Sequence, residues 1–211
     1  GTATMIDGCR IAWRMDGPEN APVLVLSNSL GTAMAMWTSQ VPALSEHFRL
    51  LRYDTRGHGK SSVLPGDIGL DRLGRDVLEL LDTLGIARAH FCGLSLGGMT
   101  GQWLGVFAPE RIDRLVLANT SSFMGPPESW QTRMNLVRDL GMAAIVEAVL
   151  ERWFTHSFAA GGKNSIEETR QLLLATDPQG YSGCCAAIRD MDLRPIARLI
   201  AAPSLIIAGS E

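Results

Sequence analysis

His90-Phe91-Cys92-Gly93-Leu94-Ser95-Leu96-Gly97-Gly98-Met99-Thr100 is the stretch on which the reading of this chain turns. Gly93, Ser95 and Gly97 spell G-x-S-x-G, after a short apolar run of strand character and before a run of helix character from Gln102 to Phe107. Glycine and serine are common enough for the motif to arise by chance, and its place between a strand and a helix is what gives it meaning. The reversal from strand to helix is so sharp that the serine is held in strained backbone. A side chain at Gly93 or Gly97 would strike the neighbouring chain. Ser95 is therefore the candidate nucleophile. The helix that follows aims its unpaired N–H groups and the positive end of its dipole at the same spot, which makes the N–H of Leu96 a candidate donor to an oxyanion.

Working outward, Val23-Leu24-Val25-Leu26 is a continuous apolar run of the kind buried on both faces of a sheet. It leads into the polar loop Ser27-Asn28-Ser29-Leu30-Gly31-Thr32, where a second oxyanion donor belongs. The backbone N–H of Ser29 is the expected donor and that of Leu30 the alternative. Ile11 to Met15, with the turn Asp16-Gly17-Pro18, reads as the end of a hairpin leading into the apolar run. Trp37, Val41 and Leu44 recur at helical spacing, which makes Trp37 a core residue on a helix against the sheet. Arg49 to Tyr53 reads as the next strand and delivers Asp54-Thr55-Arg56-Gly57-His58-Gly59-Lys60-Ser61. This cluster is expected to be structural, with Asp54 and Arg56 bonding the loop backbone and each other. His58 belongs to that framework, because the catalytic histidine of such an arrangement follows the serine in sequence. Leu70 to Leu84 carries its leucines on one face and is closed by Gly85. Arg114 to Asn119 is a further buried strand.

The alternation of strand and helix from residue 23 to 119 predicts an α/β fold, a mostly parallel sheet flanked by helices. After Thr120 the texture changes. Gly125-Pro126-Pro127 breaks the pattern, only helical periodicity runs from Glu128 to about Asp190, and Pro203 to Gly209 is strand-like again. The expected organisation is a core over 1–122, an inserted helical cap over 123–192 and a return to the core over 193–211. With 46% hydrophobic and 19% charged residues, the chain can bury a sizeable core. A net charge of −3 without a lysine or arginine run speaks against nucleic-acid and polybasic membrane surfaces, and leaves a small diffusible substrate. No stretch has the length of a membrane span and the first residues lack signal-peptide character, so a cytoplasmic protein is expected. Cys9, Cys92, Cys184 and Cys185 lack metal-ligand spacing and read as reduced, mostly buried residues. No metal or other cofactor is expected.

Three segments together, Leu26 to Thr32, Arg52 to Ser61 and Cys92 to Gly98, resemble the α/β-hydrolase superfamily. Gly183-Cys184-Cys185-Ala186-Ala187-Ile188-Arg189-Asp190-Met191-Asp192-Leu193 extends the match and is similar to the bacterial 3-oxoadipate enol-lactonases of the β-ketoadipate pathway. The resemblance implies that Ser95 attacks a carboxymethyl-bearing lactone, with the oxyanion held by the N–H groups of Leu96 and Ser29. A small anionic lactone needs a cation in its otherwise apolar pocket. Arg133 is expected to supply it, one helical turn after Trp130 and on the same face, with Arg189 as the alternative and Trp153 as a wall of the pocket.

In this fold the order is serine, acid, histidine. The resemblance puts the acid just past the strand ending near Gly209 and the histidine later still. His47, His58, His90 and His156 all precede that strand. The acid and the histidine are thus expected beyond residue 211, in a following segment or another chain, rather than at Glu211. The sheet edge beside residues 204–208 is then expected to be apolar and free. Two other readings stay open at this point: a different serine α/β-hydrolase, such as a carboxylesterase or cofactor-free perhydrolase, and a non-catalytic, hydrolase-like binding module.

Overall fold

The computed structural model describes residues 1–210. In chain order the elements are β1 (Thr2–Thr4), β2 (Arg10–Asp16), β3 (Val23–Ser27), α1 (Val41–Leu44), β4 (Arg49–Tyr53), α2 (Leu70–Thr83), β5 (Ala89–Leu94), α3 (Leu96–Phe107), β6 (Ile112–Ala118), α4 (Pro127–Leu140), α5 (Val146–Trp153), α6 (His156–Gly161), α7 (Lys163–Leu174), α8 (Pro178–Asp190) and β7 (Ser204–Ile207). The strands form one sheet in the order β1-β2-β4-β3-β5-β6-β7. From β4 to β7 every pairing is parallel, while β1 with β2 and β2 with β4 are antiparallel. The continuous apolar runs take the centre, where both faces are covered. Leu26, Leu50 and Phe91 have no exposed surface.

Two local expectations are corrected. The segment Ile11 to Met15 does not form a hairpin with β3: β2 pairs with β1 and with β4, where Trp13 lies opposite Tyr53. A turn at Gly17 reads locally as a hairpin, but β3 already has parallel neighbours on both sides, so β2 takes the free flank of β4. Nor do Trp37, Val41 and Leu44 lie on one helix. A 3-10 turn over Met34–Trp37 is followed by the single-turn α1. Pro42 lacks an N–H and can sit only in the first turn of a helix, so no helix runs through from Trp37. Trp37 is nonetheless core, packed with Leu24, Leu26 and Leu50.

The amphipathic α2 buries Leu73, Val77, Leu80 and Leu81 against the sheet. It also carries Asp76, which decides the fate of Arg56. Asp54 accepts from the backbone N–H groups of Met34 (2.7 Å) and Lys60 (2.8 Å), as expected of a loop-bonding carboxylate. Arg56 does not pair with it. Its guanidinium forms a two-point bond with Asp76 (2.6 and 2.5 Å) and a bridge to Asp7 (2.8 Å). With both oxygens of Asp54 engaged by the backbone, Arg56 reaches into the space beside α2 instead.

From Pro127 to Asp190 the chain is helical, and α4 packs along α8. This segment docks over the loops at the carboxyl ends of the central strands. Thr176 Oγ1 donates to the Gly31 carbonyl (2.9 Å) and the N–H of Ile68 to that of Gly183 (3.0 Å). Gly57 and Gly180 bring two backbones together: a Cβ on Gly57, at φ +75°, would stand 2.5 Å from the Gly180 Cα. Only glycine permits that approach. The apolar side chains below, among them Leu30, Met99, Trp130, Met134 and Tyr181, form one continuous cluster. On the far flank β7 pairs with β6 alone, leaving Leu205 57% and Ile206 73% exposed.

Candidate active site

Ser95 stands between β5 and α3 at φ +53° and ψ −112°, a conformation that L-residues rarely adopt. Its backbone is clamped. The N–H donates to the Ala118 carbonyl (3.0 Å), and the Ser95 carbonyl accepts from Thr120 Oγ1 (2.7 Å). A Cβ on Gly93 would stand 2.5 Å from the nitrogen of Gly98, and one on Gly97 2.6 Å from the carbonyl carbon of Ser27. Both glycines are thus demanded by backbone on backbone, and the turn holds the half-buried Ser95 side chain facing a cleft.

Leu96 occupies the first position of α3, where the N–H has no helical partner. The loop from Ser27 to Thr32 is tied to the same turn by the N–H of Gly97, which donates to the Asn28 carbonyl (3.0 Å). Asn28 is itself fixed, donating from Nδ2 to the Tyr53 carbonyl (2.7 Å) and accepting from Trp37 Nε1 (2.9 Å). Because Gly97 follows Leu96 and Asn28 precedes Ser29, this one bond fixes the loop that carries Ser29 and Leu30 against the turn that carries Leu96. Among the described residues, the N–H groups of Leu96, Ser29 and Leu30 donate to nothing. Each of these amides is therefore free to donate without first breaking a bond.

His58 completes the clamp. The Gly31 N–H donates to its Nε2 (2.9 Å), which makes Nε2 the acceptor and leaves Nδ1–H to donate to the Arg56 carbonyl (3.1 Å). Burial holds its pKa below the ordinary 6.5. The neutral ring is thus the folded form, whereas the unfolded chain takes up a proton near pH 6.5. Stability is then full above that pH and falls as the pH drops towards the depressed folded value. Urea midpoints measured between pH 8 and 5 should decline below about pH 6.5. The decline should be shallower in His58→Gln, and parallel curves for the two proteins would contradict this role.

Beside Ser95 the cleft narrows into a recess lined by Ser29, Trp130, Arg133, Arg152, Trp153 and Tyr181. Trp130 is anchored by its Nε1–H on the Met124 carbonyl (2.6 Å). The Arg133 guanidinium lies 5.1 Å from the centre of the Trp130 ring and reaches the Tyr181 hydroxyl (3.4 Å). Burial pushes the pKa of that hydroxyl up to about 12, so it stays protonated. Among the described residues, the charged side chains lining the recess are the two arginines. The wider cleft runs out past Glu167 and Glu168 of α7.

The structure thus brings Ser95, Ser29, Trp130, Arg133 and Trp153 to one recess, keeps Leu96 next to Ser95 at the start of α3, and leaves Arg189 out. Arg189 is held by Asp67 (2.9 Å), Asp190 (2.7 Å) and Gln131 (2.6 Å) and does not line the recess. Hydrogen bonding to Asp190 and then Asp67 keeps it firmly charged. Its position on α8 left it facing carboxylates that already satisfy it. Arg152, by contrast, was not singled out from the sequence. The available signal was a cation adjacent to Trp153, and which side of α5 faces Ser95 emerges only when α5 is docked.

The four cysteines are unbridged, and burial raises the Cys92 thiol to about 11, which keeps it protonated near neutral pH. No histidine of the described residues lines the cleft. His90 packs edge-on against Phe48 beside Asp113, and His47 and His156 are exposed. Glu211 lies outside the described residues. No helix among them is long and apolar enough to cross a membrane.

A strained serine between strand and helix, with free amides around it, agrees with the chain's match to the family described as the alpha/beta hydrolase fold, over residues 22–210. This chain belongs to the α/β-hydrolase fold family. It is 42% identical over 203 residues to 3-oxoadipate enol-lactonase 1 of Acinetobacter baylyi, spanning 96% of this chain and 76% of that protein. It is 41% identical to 3-oxoadipate enol-lactonase 2 of the same organism, spanning 92% and 73%. The crystal structure of the enol-lactonase from Burkholderia xenovorans LB400 superposes with a TM-score of 0.97 at 46% identity, over all of this chain and 82% of that one. This α/β-hydrolase is accordingly an esterase-type hydrolase.

Proposed function

We propose that this hydrolase opens 3-oxoadipate enol-lactone to 3-oxoadipate, a step in the catabolism of aromatic compounds through the β-ketoadipate pathway. The observation that carries the reading is the recess beside Ser95, which is walled by Trp130 and Trp153 and has arginines as its charged lining. A neutral ester gains nothing from such a lining, whereas a lactone bearing a carboxymethyl group needs it. The similarity to two enol-lactonases supports the same substrate class.

In the proposed mechanism Ser95 Oγ attacks the lactone carbonyl, and the N–H groups of Leu96 and Ser29 hold the oxyanion. Collapse breaks the ring C–O bond and releases an enolate, which takes a proton at carbon to become the ketone. Water then hydrolyses the acyl-serine. The substrate carboxylate rests on Arg133, with Trp130 and Trp153 against the ring, and the helices over residues 123–192 act as the cap over the substrate. The base that takes the Ser95 proton is assigned to a histidine, and its acid partner to a carboxylate, in residues following Glu211. All four histidines before it lie elsewhere. No cofactor takes part.

The test is the loss of enol-lactone ultraviolet absorbance with the full-length protein. Saturable turnover, with kcat/KM of about 10⁴ M⁻¹s⁻¹ or more, is expected. Hydrolysis of neutral esters with no action on the lactone would mark a different serine hydrolase and overturn the reading. Absence of any hydrolysis would mark a binding module.

A further inference from the structure

Resting on that reading of the recess, we propose that Arg152 is a specificity-determining residue which, together with Arg133, binds the substrate carboxylate. Arg133 comes from α4 and Arg152 from the last turn of α5, and the two line the same recess beside Ser95. Neither guanidinium has a carboxylate partner among the described residues. Arg56, Arg72, Arg170 and Arg189, by contrast, are each matched by one or more acids. Arg133 is held by a ring face and a phenol, both of which leave its charge uncompensated. Arg152 makes no hydrogen bond to any described residue. Glu167 and Glu168 line the wider cleft, as Arg152 also does, but they do not line the recess. Partial desolvation, and next to it the Arg133 charge, lower the pKa of Arg152, which keeps exposure to solvent, as expected for two cations lining one recess.

The two arginines give this recess an excess of positive charge that a bound anion would offset. A carboxylate between the two guanidiniums removes their repulsion and supplies each with charge-assisted hydrogen bonds. A neutral ester leaves the repulsion in place. The pair therefore selects for anionic substrates by rewarding one class and penalising the other. Since α5 belongs to the helical segment and not to the sheet, this selection is exerted from above Ser95 by an element that takes no part in building the oxyanion site.

The experiment compares mono-(4-nitrophenyl) succinate, which carries a carboxylate, with 4-nitrophenyl butyrate, which does not, on full-length wild-type, Arg152→Gln and Arg152→Lys proteins. The wild type should favour the anionic ester. In Arg152→Gln that preference should fall by about 10- to 100-fold, mostly through KM. Lysine should restore part of it, because it returns the charge without the planar fork. Equal losses on both esters, or an unchanged preference, would overturn the role of Arg152 while leaving the anionic-lactone reading in place. A wild-type protein that favours the neutral ester would overturn both. Circular dichroism melts of the variants separate a selective loss from a folding defect.

Discussion

Ser95→Ala lowers kcat/KM on the enol-lactone by about 10⁴-fold or more, with little change in thermal stability. On the proposed mechanism no acyl-enzyme forms without the hydroxyl, and what remains is the catalysis contributed by the proposed oxyanion amides and the binding recess. The fold should not suffer, because the Ser95 backbone and not its side chain makes the clamping bonds, to Ala118 and Thr120. Alanine tolerates φ +53° no better than serine does, so the strain stays. Glycine, for which this region is open, should relieve about 1 kcal/mol of it, so Ser95→Gly should be equally inactive and slightly more stable. Stopped-flow and steady-state rates with matched melting curves test this. An alanine variant retaining a tenth of wild-type activity would exclude Ser95 as the nucleophile.

Asp76→Ala should cost about 3–5 kcal/mol of folding stability, the largest effect expected away from the nucleophile. The Arg56 side chain is 4% exposed and that of Asp76 3%, and they meet in a two-point bond that Arg72 joins from one turn earlier on α2. Burial raises the Asp76 pKa, and Arg56 opposes it by hydrogen bond and charge. Removing the carboxylate leaves Arg56 with Asp7, whose side chain is far more exposed, as its remaining anion. The loss reaches the site as well, since Arg56 belongs to the loop that carries Gly57 against Gly180 and His58 under the Gly31 amide. Urea unfolding gives the measure. Replacing both partners by apolar residues, Arg56→Met with Asp76→Leu, should cost less than Asp76→Ala alone, because no uncompensated charge stays buried. A single-variant loss below about 1 kcal/mol would mean that the network is not coupled to folding in this way.

Much of this was legible in the order of residues because it rests on interactions of short range along the chain. Gly93 and Gly97 announce the strained turn, and the apolar runs at residues 23–26, 49–53 and 114–119 announce central strands, since a strand buried on both faces has no polar positions. His58 could be assigned to the framework from its position before the serine. Burial and the Gly31 amide then supply the chemical reason.

What the sequence left open depends on which surfaces meet. Pro42 divides what spacing alone presents as one helix, and β2 joins β4 because β3 has no free flank. Arg189 and Arg152 are both arginines near helix ends, and nothing in their neighbours along the chain separates them. Docking of α8 puts Asp67 and Gln131 around the first, while docking of α5 places the second in the recess that Ser95 also lines, without an ion pair among the described residues. The strained turn at Ser95 and the free amides beside it follow from backbone geometry that a few adjacent residues dictate. The charge lining the recess follows from packing between helices far apart in sequence, and only the tertiary structure decides it.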